Sequence, residues 1–140
     1  MMKKNVPVST IMTKNVIKLN LKDELTKAET LFKKHNIRHI PVVSGGKIIG
    51  MLSYSDLLRI SFADAVYEDE EIDSVVYDMF DISQVMTKNI VSITENTTIK
   101  ETAEILASKE FHALPVVKDE QLVGIVTTTD LIKYLLNQYN

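Results

Sequence analysis

Gly50-Met51-Leu52-Ser53-Tyr54-Ser55-Asp56-Leu57 recurs 74 positions later as Gly124-Ile125-Val126-Thr127-Thr128-Thr129-Asp130-Leu131. The match runs outward from this stretch without a gap, aligning residues 8–60 with residues 82–134. Eleven of the 53 aligned positions are identical and fifteen more exchange one apolar residue for another. Upstream, Pro41-Val42-Val43 is repeated as Pro115-Val116-Val117, and Met12-Thr13-Lys14-Asn15 as Met86-Thr87-Lys88-Asn89. A self-match of this length identifies a duplicated structural unit.

Each copy reads as β-α-β-β-α. Residues 16–19 and 90–93 have the composition of short strands. Asp23 and Thr97 stand where helix N-caps belong, and Thr98 with Glu101 has capping-box spacing. Leu25, Ala28, Leu31 and Phe32 share a helical face in the first copy, as do Ile99, Ala103 and Leu106 in the second. Residues 39–43 and 113–117 read as strands, each containing a proline whose preceding residue is biased away from helix. Gly45-Gly46 marks a tight hairpin, and Asp119-Glu120 takes its place in the second copy. Strands over 48–53 and 122–127 lead into closing helices that begin near Ser55 and Thr129. A three-stranded sheet with two helices leaves one sheet face bare, so the fold class is α/β, with two copies packed about a pseudo-twofold axis as one module. The organisation is then repeat 1 over 8–60, a connector over 61–81 and repeat 2 over 82–134. Ile72, Val75, Val76, Met79 and Phe80 make the connector an amphipathic helix.

Charge is unevenly placed along the 140 residues. Between Arg59 and Lys88 there is no Lys or Arg, while eight acids fall there: Asp64, Glu68, Asp69, Glu70, Glu71, Asp73, Asp78 and Asp81. The remainder carries 16 basic against 11 acidic residues. That balance suits a small anionic ligand and is too dilute for a nucleic-acid surface. No apolar run approaches the roughly 18 residues of a spanning helix. The N-terminus lacks the apolar stretch of a signal peptide. With no cysteine in the chain, a cytoplasmic location is the expectation.

The ordered set of motifs resembles the CBS repeat: a Met-Thr-Lys-Asn opening, an amphipathic helix, a His-Ile-Pro-Val-Val strand, and a closing Gly-x-x-Ser/Thr-x-x-Asp. Each motif is short, but their order is specific and occurs twice, covering about 106 residues. The resemblance implies a Bateman module: a non-enzymatic, homodimeric regulator that binds an adenine nucleotide such as AMP, ADP or ATP and signals to a target protein. S-adenosylmethionine, NAD and cyclic dinucleotides remain open as ligands, and the target is not encoded in the chain. The alternative is a structural dimerisation module with vestigial clefts.

The closing motif has the right chemistry for such a ligand. A carboxylate can accept both vicinal hydroxyls of a ribose. Hydroxyl and amide donors at a helix N-terminus suit a phosphate. Ser, Thr and Asp are equally the preferred helix caps, so the same residues have a purely structural reading. By resemblance, one cleft holds Thr127, Thr129 and Asp130 with Ile37, Arg38, His39 and Asp23. The other holds Ser53, Ser55 and Asp56 with Phe111, His112, Ala113 and Thr97. Arg38 and His39 give the first cleft more positive charge than His112 gives the second.

The sharper alternatives fare worse. His35 and His39 have zinc-binding spacing on a helix, but Ile37 and Pro41 break the helix between and after them, so no metal site is expected. The acidic run over 68–73 could hold Mg²⁺, as acidic segments do in some CBS-containing transporters, but the favoured reading is a solvated helix start. Met12 and Met86 read as core fillers. The chain offers no nucleophile-base pair, no glycine-rich phosphate loop and no paired carboxylates, so no catalytic residues are assigned.

Overall fold

A computed structural model of the chain describes residues 5–62, 77, 79–109 and 111–139. The acidic run over 68–73 and the connector residues Ile72, Val75 and Val76 lie outside the described residues. Met79 and Phe80, the rest of that apolar stripe, are exposed.

The described elements are two copies of one pattern. In the first, β1 (Leu19–Asn20), α1 (Leu25–His35), β2 (His39–Ser44), β3 (Lys47–Ser53) and α2 (Tyr54–Phe62) follow in order. A short α3 (Ile82–Val85) comes next. In the second, β4 (Ile93–Thr94), α4 (Ile99–Lys109), β5 (Ala113–Lys118), β6 (Gln121–Thr127) and α5 (Thr128–Asn137) repeat the order. β1 pairs parallel with β2, through Leu19 opposite Val42, and β2 pairs antiparallel with β3. β4, β5 and β6 pair in the same way, with Ile93 opposite Val116. The first strand of each copy is only two residues long and begins three residues later than its composition suggests.

Both hairpins close through two residues of positive φ, Gly45 and Gly46 in one and Asp119 and Glu120 in the other. This is the type I′ turn, whose twist matches that of the flanking strands. An L-residue in the left-handed region costs about 1–2 kcal/mol, least when it is Asn or Asp. Glu120→Gly is therefore expected to raise the stability of this copy by about 1 kcal/mol, and a thermal melt that shows no increase counts against it.

The helix starts correct one sequence expectation. α1 begins at Leu25, and Asp23 is not its cap. Its carboxylate instead accepts the Asn20 N–H at 2.8 Å and an ion pair from Lys27 at 3.3 Å. Thr97 likewise closes a turn, its Oγ1 accepting the Thr94 N–H at 3.1 Å. The α4 cap is Thr98, whose Oγ1 accepts the Glu101 N–H at 3.1 Å while Glu101 Oε1 accepts the Thr98 N–H at 3.2 Å. Both turns need a short polar side chain one residue before the cap, and from sequence the two positions look alike. Of the face predicted for α4, Ile99 and Leu106 are buried, but Thr102 takes the place of Ala103 at the core. Its hydroxyl is satisfied by the Thr98 carbonyl at 2.9 Å.

Two compact units emerge, and they cut across the sequence repeats. One joins Met1–Val16 to Val91–Asn140, and the other is Ile17–Ile90. In the first, Val8 is fully buried among Ile93, Leu106, Leu114, Val116 and Val126. Backbone bonds hold this N-terminal strap in place: Val8 N–H to Thr97 at 2.7 Å, and a reciprocal pair between Thr13 and Ile125 at 2.8 and 3.0 Å. In the second unit, residues 81–87 do the same for the first copy. Ile82 is buried with Leu19, Leu25, Phe32, Ile40, Leu52 and Leu57, and Thr87 pairs with Met51 at 2.9 and 3.0 Å. Each copy's Met-Thr-Lys-Asn opening therefore packs on the sheet of the other copy.

Candidate ligand-binding site

The closing motif is a strand that runs into a helix with no intervening loop. β3 ends at Ser53 and α2 starts at Tyr54; β6 ends at Thr127 and α5 starts at Thr128. Such a junction exposes the first helical amides together with the capping side chains. At Thr127 the cap is reciprocal: Oγ1 accepts the Asp130 N–H at 3.2 Å, and Asp130 Oδ2 accepts the Thr127 N–H at 2.9 Å. Ser53 and Asp56 repeat this at 3.0 and 3.2 Å. The capping role is thus real at both motifs.

It uses only one carboxylate oxygen at each. Among the described residues, Oδ1 of Asp130 takes no hydrogen bond. Oδ1 of Asp56 lies 3.5 Å from Arg59 Nη1, one turn further along α2. Asp56 is sheltered, with its side chain 14% exposed, while Ser55 and Thr129 are open to solvent. Each junction therefore presents a fixed carboxylate oxygen beside an exposed hydroxyl.

The centre of each motif explains its glycine. A Cβ on Gly50 would collide with Met86 Sδ, and one on Gly124 would stand 2.7 Å from Met12 Sδ and 3.2 Å from the Thr13 carbonyl oxygen. The strap crosses the strand at this point, and only a residue without a side chain lets it approach so closely. Met12 and Met86 are indeed packing residues, and the glycine of the closing motif is what they pack on.

Within each unit the start of the middle strand lies across from that copy's own closing motif. His39 is opposite Ser53, and the Arg38 carbonyl accepts the Tyr54 N–H at 2.8 Å. Ala113 is opposite Thr127, and the His112 carbonyl accepts the Thr128 N–H at 3.0 Å. Ile37 and Phe111 are half-buried beside these positions, Arg38 and His112 are exposed, and Ala113 is buried. Within its own unit, the entry of each middle strand therefore lies beside the strand-to-helix junction: Arg38 and His39 at Ser53 and Tyr54, and His112 and Ala113 at Thr127 and Thr128.

Asp23 and Thr97 lie elsewhere in their own units. They follow β1 and β4, which pair with residues 42–43 and 116–117 near the hairpin ends of the middle strands. About four strand residues, roughly 13 Å, separate those positions from His39 and Ala113. Arg59 is the site neighbour that sequence reasoning missed. Its only signal was a basic residue three positions after the Asp in both copies, Arg59 and Lys133.

The CBS domain profile matches twice, over residues 8–63 and 82–137. The chain belongs to the CBS-domain family. This tandem CBS chain is 30% identical over 124 residues to the CBS domain-containing protein YhcV of Bacillus subtilis, covering 89% of this chain and 81% of YhcV. It spans 32% and 47% of the lengths of two Methanocaldococcus jannaschii relatives, MJ1404 and MJ1225, at 28% and 24% identity. Those matches cover 94% and 93% of this chain. Among solved structures, the CBS pair resembles CBSX2 in complex with AMP, with a TM-score of 0.79 and 20% identity over 96% of this chain and 99% of that one. The CBS domain pair of MJ0100, in complex with 5′-methylthioadenosine and S-adenosyl-L-methionine, gives the same TM-score at 23% identity and the same coverage. At these identities the two structures establish the shared fold. Among the described residues, no helix is long and apolar enough to cross a membrane, and no group of three or more His, Cys, Asp or Glu side chains could hold a metal ion.

Proposed function

We propose that this CBS pair is a non-catalytic regulatory module that binds an adenine nucleotide at its closing motifs and relays that state to a target protein. The reading rests on one observation: each cap spends a single carboxylate oxygen, so the second, without a hydrogen bond on Asp130 among the described residues and facing Arg59 on Asp56, follows directly after an exposed Thr129 or Ser55 in the chain. The ribose diol takes that oxygen. Thr127 and Thr129, or Ser53 and Ser55, receive the phosphate. Phe111 and Ala113, or Ile37, border the base; His112, or His39, adds a hydrogen-bonding imidazole, and Arg38 adds a fixed cation. The proposed setting is cytoplasmic, and the proposed assembly is a homodimer to which the exposed Met79 and Phe80 contribute. The AMP and S-adenosyl-L-methionine complexes of similarly folded proteins support the adenosine class.

The test is a thermal-shift panel of adenosine, AMP, ADP, ATP, NAD and S-adenosylmethionine. A ligand that binds only the folded state, present at a hundred times its Kd, adds about 2.7 kcal/mol to stability and must raise the melting temperature. The capping bonds favour one competing reading, in which the motifs only start helices. A panel with no shift at millimolar concentration would establish that reading in place of the sensor.

A further inference from the structure

We propose that Arg59 makes the Asp56 motif selective for adenosine ligands that carry a phosphate, whereas the Asp130 motif has no such selector. The inference rests on the nucleotide-binding reading above and names what distinguishes its two sites. Both motifs have the same cap, and the difference between them begins at the carboxylate oxygen the cap leaves over. At Asp56 that oxygen faces the Arg59 guanidinium at 3.5 Å. At Asp130 the equivalent basic residue is Lys133, and among the described residues no ion pair joins the two.

Anchoring by Asp56 leaves most of the guanidinium available. It carries five N–H donors in a planar fork, and the side chain is 77% exposed, so the edge turned away from Asp56 is open to a ligand. A nucleoside whose diol reaches Asp56 brings its 5′ substituent within the reach of that side chain. The fork can then bind two phosphate oxygens while the carboxylate beneath fixes its orientation. Arg38, whose carbonyl accepts the Tyr54 N–H, adds a second fixed positive charge at this end of the unit. At the Asp130 end the residues in the places of Arg38 and Arg59 are His112 and Lys133. An ammonium is a strongly hydrated point charge and cannot form the bidentate contact, so that end should bind a nucleoside and its phosphate with similar affinity.

The experiment uses the full chain carrying Asp130→Ala, so that binding reports the Asp56 site, with AMP and adenosine titrated by calorimetry. Circular dichroism checks each variant for folding. Adding Arg59→Gln is expected to weaken AMP ten- to a hundredfold and to change adenosine less than about threefold, the range for losing one charge-assisted contact. Arg59→Lys should recover part of the AMP affinity. An unchanged AMP affinity, an equal loss for both ligands, or tighter adenosine binding (Arg59 then being a plug on Asp56) would each overturn the proposal. So would AMP binding to the unmodified chain but not to the Asp130→Ala parent, which overturns the Arg59 role alone. If neither ligand binds even the unmodified chain, the nucleotide-binding reading falls together with it.

Discussion

Val8→Asp is expected to unfold the unit formed with residues 91–140, although Val8 lies 83 positions before Val91 in the chain. Val8 is 0% exposed and touches the core strands of the second copy. A carboxylate placed there has no partner, and burying it costs at least about 4 kcal/mol, a large part of the roughly 5–15 kcal/mol that holds a domain together. Hydrogen exchange locates the damage. Amides over 113–127 should lose protection at lower denaturant than those over 39–53. Preferential loss over 39–53 would show that the strap serves its own copy instead. Ile82→Asp is the matched control and should reverse the order, because Ile82 is buried in the Ile17–Ile90 unit.

The second large effect concerns affinity. Asp130→Ala is expected to weaken binding of an adenine nucleotide at its motif ten- to a hundredfold, the cost of one or two charge-assisted hydrogen bonds. The same change removes the reciprocal cap on α5, which lowers stability by about 1 kcal/mol. The two roles separate with Asp130→Asn. Its amide oxygen can still accept the Thr127 N–H, preserving most of the cap, but it is a weaker acceptor for a diol. Binding that falls in Asp130→Asn while the melting temperature holds identifies a ligand contact. A melting temperature that falls without a change in affinity identifies a helix cap and nothing more.

The closing motif was legible from sequence because its parts are close together. A cap and its acid sit three residues apart on one helical turn, and the strand before them is marked by its apolar run. The same holds for the hairpins, where two residues that tolerate positive φ interrupt a pair of apolar strands. Asp23 and Thr97 show where local reading loses resolution. A turn and a cap both favour a short polar residue, and they differ by a single position that only the backbone path decides.

The sequence by itself determined the duplication, the β-α-β-β-α order and the chemistry carried by Ser53, Asp56, Thr127 and Asp130, since each is written in spacings of two to four residues or in the 74-residue repeat. Only the tertiary structure decided which strap lies on which sheet. Both copies carry the same methionine and the same glycine, so the pattern is unchanged when the partners are exchanged. The choice is made by chain path and burial, which seat Met12 on Gly124 and Met86 on Gly50. Tertiary structure alone also separated two otherwise matching carboxylates. Arg59 reaches Asp56, while among the described residues no ion pair joins Lys133 to Asp130, and the reach of a long side chain depends on its surroundings rather than on its place in a motif.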